Sequence, residues 1–387
     1  FNSFGIGGEI EVLSGLFVER QTIASPVIHV GLGTRSTVDV MRVVWPNGVL
    51  HADFDQGVDQ TIVAQQRLKG SCPWVFANDG TGPKFVTDFL WRSPLGLRIN
   101  AVDTAGVTQT EDWVKIRGDQ LAPVGGVYDI RITAELWETH FIDAVSLMAV
   151  DHPKDVDVFA DERFAPADPP SLAVHTLRPP APIAHAWDDA GTDVTSLVAQ
   201  DDGRYLDTFA RGRYQGLAAD HFVDIDLGRP IAADARMWLV ADGWVYPTDS
   251  SINVAIGQGQ GPKPHGLSLE AQDVHGRWHV VSPDLGFPEG KNKTVLIDLS
   301  AVPRARLIGV RRVRLRTNLE IYWDAIRVAE GAANAPVRTT RIEASRADLR
   351  YRGFSETRTA SRTSPELPIY GRLANTASRW RDLAGYY

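Results

Sequence analysis

Residues 310–328 read VRRVRLRTNLEIYWDAIRV, and Val313, Leu315, Ile321, Trp323, Ile326 and Val328 fall on a period-two apolar pattern broken at Thr317-Asn318. Alternation of this kind puts one set of side chains in a core and the other in water. It predicts two half-buried strands joined by a polar turn. An earlier stretch, YDIRITAELWETHFIDAVSLMAV at 128–150, echoes it: Ile-Arg-Ile-Thr matches Val-Arg-Leu-Arg, and Phe141-Ile-Asp-Ala-Val matches Tyr322-Trp-Asp-Ala-Ile. A closing hairpin used twice predicts two β-modules of related build.

The remainder of the chain has the same texture. Short apolar or alternating runs at 9–12, 17–23, 27–30, 38–44, 49–54 and 61–64 are separated by glycine, with a turn signal at Trp45-Pro46-Asn47-Gly48. Further strands are expected at 113–117, 128–133 and 141–150. Between 183 and 330 come eight more, at 221–227, 236–240, 252–256, 267–272, 278–281, 294–299, 311–316 and 321–328. Many short strands with Gly, Pro, Asp and Asn between them imply sandwiches or jelly rolls. The fold class is therefore mostly β: a small β-domain (1–70), a β-sandwich-like module (71–165) and a jelly roll (183–330). A linker rich in proline (166–182) and an extended C-terminal arm (331–387) complete the plan.

Net charge is −8, which argues against nucleic acid as a partner, because phosphate binding needs a basic footprint. No apolar run reaches the roughly 20 residues of a membrane helix. The chain opens on FNSFGIGGEIEV without a basic-then-apolar leader, so a signal peptide is expected upstream of Phe1. Arginine is concentrated after Gly331, among others at Arg338, Arg350, Arg362 and Arg381. Such an arm is solvated, or it pairs with acidic surfaces of a neighbouring chain. Cys72 is the single cysteine, which excludes an intramolecular disulfide and a thiolate metal cluster.

Three motifs in the first 70 residues carry a resemblance. Gly5-Ile6-Gly7-Gly8, His29-Val30-Gly31-Leu32-Gly33 and Val43-Val44-Trp45-Pro46-Asn47-Gly48 occur in the order GIGA, HFGLG, VxWPSG, and the segment is similar to the ASPIC/UnbV domain. That module ends secreted bacterial proteins with FG-GAP propeller repeats, so the resemblance implies a periplasmic, secreted or cell-surface protein. The 75–88 stretch resembles part of an FG-GAP blade but lacks the acidic calcium loop, so no propeller is expected. KTVLIDLS at 293–300 followed by YWDAIRV at 322–328 resembles the end of galactose-binding-like and carbohydrate-binding jelly rolls.

Catalytic motifs such as G-x-S-x-G, H-E-x-x-H and a phosphate loop are missing from the sequence. Gly257, Gly259 and Gly261 are followed by Pro262 and Pro264, which prevent the helix a phosphate site needs. His140 with Glu138 and Asp143 is the best acid–base grouping, but on a regular strand Asp143 points away from the other two. A non-catalytic binding protein is expected.

Sugar rings stack their C–H faces on indole and phenol rings, and their hydroxyls bond to carboxylates. Trp244 and Tyr246, flanked by Asp242 and Asp249, are the preferred glycan patch, with Trp187, Trp238, Trp278 and Trp323 as further aromatics. Any one of these rings is equally at home in a core. Asp143 and Asp324 hold equivalent places in the two hairpins. In jelly-roll modules that aspartate often helps to hold a structural Ca2+, for which Asp202, Asp207, Asp224 and Asp226 are further ligands. The other reading of Asp143 and Asp324 is a turn cap or an arginine bridge. A glycan or another protein chain is thus the expected partner. The alternative to glycan recognition is a structural subunit of a larger extracytoplasmic assembly, packed through the 331–387 arm.

Overall fold

A computed structural model describes residues 4–46, 50–64, 72–90, 111–135, 140, 142–165, 170–232, 234, 236–248, 253, 256–305 and 307–376. Strands dominate and helix is rare, as the patterning requires. Residues 1–70 with 247–263 and 374–377 form one compact unit, and the remainder forms a second.

The first unit is built on a four-stranded antiparallel sheet in the order Phe17–Thr22, Glu9–Ser14, Thr37–Val44, Leu50–Gly57. Val12, Val38 and Met41 form its core. The expected strands at 27–30 and 61–64 do not form. Val30, Leu32, Ile62 and Ala64 cap the core from loops instead, so their apolar character reflects burial without pairing. The glycines of Gly5-Ile6-Gly7-Gly8 have steric reasons to be there. Gly5 and Gly7 have φ of 68° and 90°. A Cβ on Gly5 would lie 2.9 Å from the Trp45 ring, and one on Gly8 would lie 2.5 Å from the Val44 carbonyl oxygen. The first motif is thus a cradle for the tryptophan of the third. Asn47 and Gly48 of the turn lie outside the described residues.

The second unit contains the jelly-roll-like sandwich. One sheet runs Ala181–Pro182, Ile321–Glu330, Met237–Val245, Lys293–Asp298; the other runs His185–Asp188, Leu217–Asp226, Arg312–Leu319, Ser268–Gln272, Trp278–Ser282. All pairs are antiparallel. Val223, Ile225, Leu239, Leu269, Ile297, Val313, Leu315 and Ile326 fill the space between the sheets. Each such side chain contributes about 1.5–3 kcal/mol by leaving water.

The 310–328 stretch is not a hairpin. Arg312–Leu319 pairs in the five-stranded sheet and Ile321–Glu330 in the four-stranded one, so the chain crosses between sheets at Glu320. Thr317 and Asn318, expected in a turn, are buried within the first strand. Alternation reports which face of a strand is wet but not which sheet it joins. The apolar phase also slips by one residue between Trp323 and Ile326. The slip is a β-bulge: Asp242 faces Ala325, Gly243 faces Trp323, and Asp324 is the extra residue. The echo at 128–150 is no second copy. Ile130–Thr133 joins a three-stranded sheet with Trp74–Asn78 and Pro83–Asp88, whereas Ser146–Asp151 pairs with Arg338–Glu343. Among the described residues, 71–165 holds that sheet and short ribbons, not a separate sandwich. The expected strand at 113–117 is a loop whose Val114 and Ile116 pack on Val75, Ala77 and Val86.

The linker and the arm are corrected too. His175–Leu177 pairs with Asp157–Phe159, and Ala181–Pro182 adds to the edge of Ile321–Glu330, where a proline is tolerated. The stretch is therefore laid on the sandwich and does not space it. In the arm, Arg338–Glu343 pairs with Ser146–Asp151, and Phe354–Thr359 pairs with Glu366–Asn375. Ser355 donates its N–H and hydroxyl to buried Glu135, which also meets Arg352 at 3.1 Å. These strands are mostly solvated on both faces and hold by backbone pairing, so they leave no apolar period to read.

A buried ionic cluster ties the three-stranded sheet to the sandwich. Lys293 is fully buried and donates its Nζ to the Asp88 carbonyl at 2.6 Å. The Asp88 carboxylate accepts the Lys291 N–H at 2.8 Å. Glu162 accepts the Thr294 N–H at 2.8 Å, and its own N–H returns to the Thr294 carbonyl. Burial alone would lower the Lys293 amine, but Glu162, Asp88, Glu289 and Asp112 raise it. Burial pushes the Glu162 carboxyl up to about 7 against the pull of Lys293. Removing one partner of such a cluster leaves buried charge without compensation. Lys293→Met is expected to cost about 3–5 kcal/mol in urea unfolding at pH 8. The loss should shrink below pH 6, where Glu162 takes up a proton; a pH-independent loss would contradict the ionic role.

Candidate functional site: the open face of the sandwich

The two outer faces of the sandwich differ. Val240, Leu296 and Ala329, on the four-stranded sheet, are covered by Phe159 and Leu177, with Trp238 packed against the group. The ribbon Asp157–Phe159 with His175–Leu177 therefore closes that face. The outer face of the five-stranded sheet carries a different set of residues. Cross-strand register aligns Trp187, Asp224, Arg314, Glu270 and Val280 in one row, and His185, Asp226 and Arg312 in the next; Phe222, Arg316 and Ser268 make a third. Val223, Ile225, Val313 and Leu315 alternate with them and point into the core.

Trp187, Phe222 and Trp278 are half-buried here, and arginines lie against their rings. The Arg314 guanidinium sits 3.5 Å from the Phe222 centroid and 4.1 Å from that of Trp278, and Arg312 sits 4.6 Å from that of Trp187. Stacking on an aromatic face leaves the in-plane N–H groups of a guanidinium to bond elsewhere. Arg314 uses them on Asp224 at 2.6 Å and approaches Glu270 at 3.6 Å. Arg316 binds Asp220 at 2.9 Å, which holds the Asp220 carboxyl below the usual range. His185 stacks on Trp187 with centroids 5.5 Å apart. At one end of the face is a depression of about 360 Å3 lined by Asp226, Gln272, Asp273, Gly309, Arg311 and Arg312. Glu270 and Asp226 are themselves buried, so the half-buried rings and the exposed Arg312 are the groups of this face that a flat polar ligand can reach.

The preferred aromatic patch is elsewhere and is closed. Trp244 is 3% exposed and Tyr322 is 1% exposed; their rings stack at 5.0 Å and 15°. Tyr205, Phe209 and Tyr246 complete the cluster, and the Trp244 Nε1–H donates to the Thr363 carbonyl at 3.0 Å. Burial raises the Tyr205 and Tyr322 hydroxyls well above the ordinary tyrosine range, and a bond to Glu320 adds to the rise at Tyr322. Trp323 is buried in the sandwich core. Trp244 faces outward by the regular alternation of its strand, and the bulge turns Tyr322 to the same side, where the Thr363 carbonyl meets the indole. Asp242 faces Arg327 and the Thr294 hydroxyl, and burial raises its carboxyl. Asp249 lies outside the described residues, as does Glu138.

The six aspartates expected to bind calcium are not gathered at one point, although Asp324 meets the backbone of Asp202. Asp224 and Asp226 are paired with Arg314 and Arg311. Asp207 faces Arg362 at 3.8 Å, and Asp143 is exposed outside any strand. Asp202 binds Arg204. Asp324, the bulge residue, caps a turn: it accepts the N–H groups of Asp202 and Gly203 at 3.1 and 3.0 Å. Burial pushes its carboxyl up to about 7, and the hydrogen bond that its protonated form gives to Asp201 adds to the rise. Calcium needs six to eight oxygens turned toward one point. Here amide N–H groups and guanidinium groups occupy those oxygens, so the residues do not fit the ion. Among the described residues, no group of three or more His, Cys, Asp or Glu side chains is placed to hold a metal.

Sequence reasoning noted Trp187 and Trp278 singly but missed the face that joins them. The available signal was Arg312-x-Arg314-x-Arg316, an arginine ladder on one side of a strand. A scan against protein-family models finds none that matches the chain, and a search of the curated proteins finds none either.

Three outcomes are expected. Trp244→Ala should destabilise the protein by about 3–5 kcal/mol in urea unfolding, as loss of a buried ring does; a stable variant would reopen the patch as a surface. For Asp324, the folded carboxyl titrates above its unfolded value. Its stabilising contribution is complete below about pH 4 and is lost as pH rises through about 7. Asp324→Asn keeps the turn cap without titrating, so its stability relative to the parent should rise between pH 5 and pH 8. Millimolar calcium should leave the melting temperature unchanged; a clear rise would restore the calcium site.

Proposed function

We propose that this is a non-catalytic, exported recognition protein that binds a glycan on the outer face of the five-stranded sheet. One observation carries the reading: Trp187, Phe222 and Trp278 lie half-buried among Arg312, Arg314, Arg316, Asp224 and Glu270 on a face no other segment closes among the described residues. Rings that are held rigid cost little entropy on binding, and the charged groups around them are already oriented for hydroxyls. The ASPIC/UnbV resemblance of 1–70 supports export, and the packing of Trp45 on the Gly5–Gly8 turn gives two of its three motifs a shared purpose.

The assembly reading rests on the arm, which was expected against another chain. Its strands instead pair within this chain, and its hairpin tip shields Trp244. The glycan reading is therefore preferred, with its site moved from Trp244 to the open sheet. A glycan array probed with the purified protein, followed by calorimetry on the best hit, tests it. Trp187→Ala and Trp278→Ala should each weaken binding by roughly tenfold, as loss of about 1.4 kcal/mol requires. Both should unfold within about 1 kcal/mol of the parent. A blank array, or full affinity in both variants, would sink the proposal.

A further inference from the structure

The depression at the end of the open face points to the class of glycan, an inference that rests on the reading just given. Four charged side chains line it: Asp226, Asp273, Arg311 and Arg312. Three of them are committed within the protein. Asp226 accepts the Arg311 Nε–H at 2.7 Å and the Gly228 N–H at 2.8 Å. Burial works against its charge, but the Arg311 bond prevails and its carboxyl stays below the usual range. Asp273 accepts the N–H groups of His275 and Arg277, both at 2.9 Å, and its other oxygen meets His279 Nε2 at 2.8 Å.

Arg312 differs from them. Its side chain is exposed, its guanidinium lies over the Trp187 ring, and no ion pair joins it to a carboxylate among the described residues. Arg314 and Arg316, two and four residues on along the same strand face, each have such partners. The ring beneath it restricts the guanidinium, and its N–H fork is left to solvent. A fork of this kind matches the two oxygens of a carboxylate and gives a charge-assisted bidentate pair. The aromatic rows of the face lead directly to this point, and the depression is of the size of a small-ligand site.

We propose that the ligand is an acidic saccharide whose carboxylate pairs with Arg312 beside the Trp187 ring that the guanidinium covers, the rest of the sugar chain running across the outer face toward Trp278. The Asp273 carboxylate, held at the rim, accepts from a sugar hydroxyl, whereas Asp226 is buried and only holds Arg311. Neutral glycans of the same length lack the group that Arg312 receives.

The test compares an oligogalacturonate with a neutral galacto-oligosaccharide of equal length by calorimetry on the full chain. The parent should bind the acidic chain roughly tenfold or more tighter, with affinity falling as salt rises. Arg312→Gln should remove that advantage, and Arg312→Lys should recover only part of it, because an ammonium cannot form the fork. Arg358→Gln, an exposed charge on the hairpin Phe354–Thr359, should leave binding unchanged and controls for net charge. Equal affinity for the two sugars with dependence on Trp278 would overturn the acidic assignment and leave glycan binding standing. Unchanged oligogalacturonate affinity in Arg312→Gln would also overturn it. Binding of neither sugar class would overturn both readings.

Discussion

An ammonium group with no access to water fixes the second unit. Lys293 begins a strand of the sandwich, yet its Nζ reaches the Asp88 carbonyl of a different sheet and lies in the field of Glu162, Asp88 and Glu289. Desolvating a lysine costs several kcal/mol, and only a complete shell of acceptors offsets this. The shell is drawn from residues near 88, 112, 162 and 289, so these parts of the chain must meet before the charge is tolerated. Apolar contacts could have held the same pieces together in several registers. A buried ion with directional partners admits one.

That fixed register decides which surfaces remain available. The crossing at Glu320 sends consecutive strands to opposite sheets, and Glu320 is pinned there by Gly216 and by the Tyr322 hydroxyl. The bulge at Asp324 then brings Tyr322 to the face that Trp244 already occupies, where the hairpin tip meets the indole through Thr363. The ribbon at 157–177 closes the other part of the four-stranded sheet. Among the described residues, no segment closes the outer face of the five-stranded sheet, with its arginine ladder and half-buried rings. The site is therefore defined as much by what the rest of the chain covers as by its own residues.

The mostly-β class and most strand positions between 217 and 330 were legible, because period-two alternation survives wherever one strand face is wet. Pairing was not. Arg312–Leu319 and Ile321–Glu330 read as a hairpin because a one-residue crossover leaves the same pattern as a tight turn. The step from Trp323 to Ile326 did record the bulge in sequence, as a slip of phase. Trp244 illustrates a different limit. A tryptophan beside Gly243, Asp242 and Tyr246 has the composition of an exposed platform, and it is buried by Tyr205 and Tyr322 and bonded to Thr363, 119 residues away. Asp224 and Asp226 share a strand face as foreseen, but the guanidinium groups that neutralise them come from a strand almost 90 residues on. Contacts that distant leave no local trace.

The pairing of Arg338–Glu343 with Ser146–Asp151 has a temporal side. A chain emerging from the ribosome can close its sandwich once residue 330 is free, since both sheets are then complete. The strand at 146–151 must still wait for its partner, and the Trp244 indole waits for residue 363. Until then an aromatic stack and a strand edge are open to solvent, the two features most prone to wrong association. Pairings of such long sequence separation are slow to form. Residues 338–376 thus act as a late-arriving closure, and nascent chains halted before them would be the species that a chaperone meets.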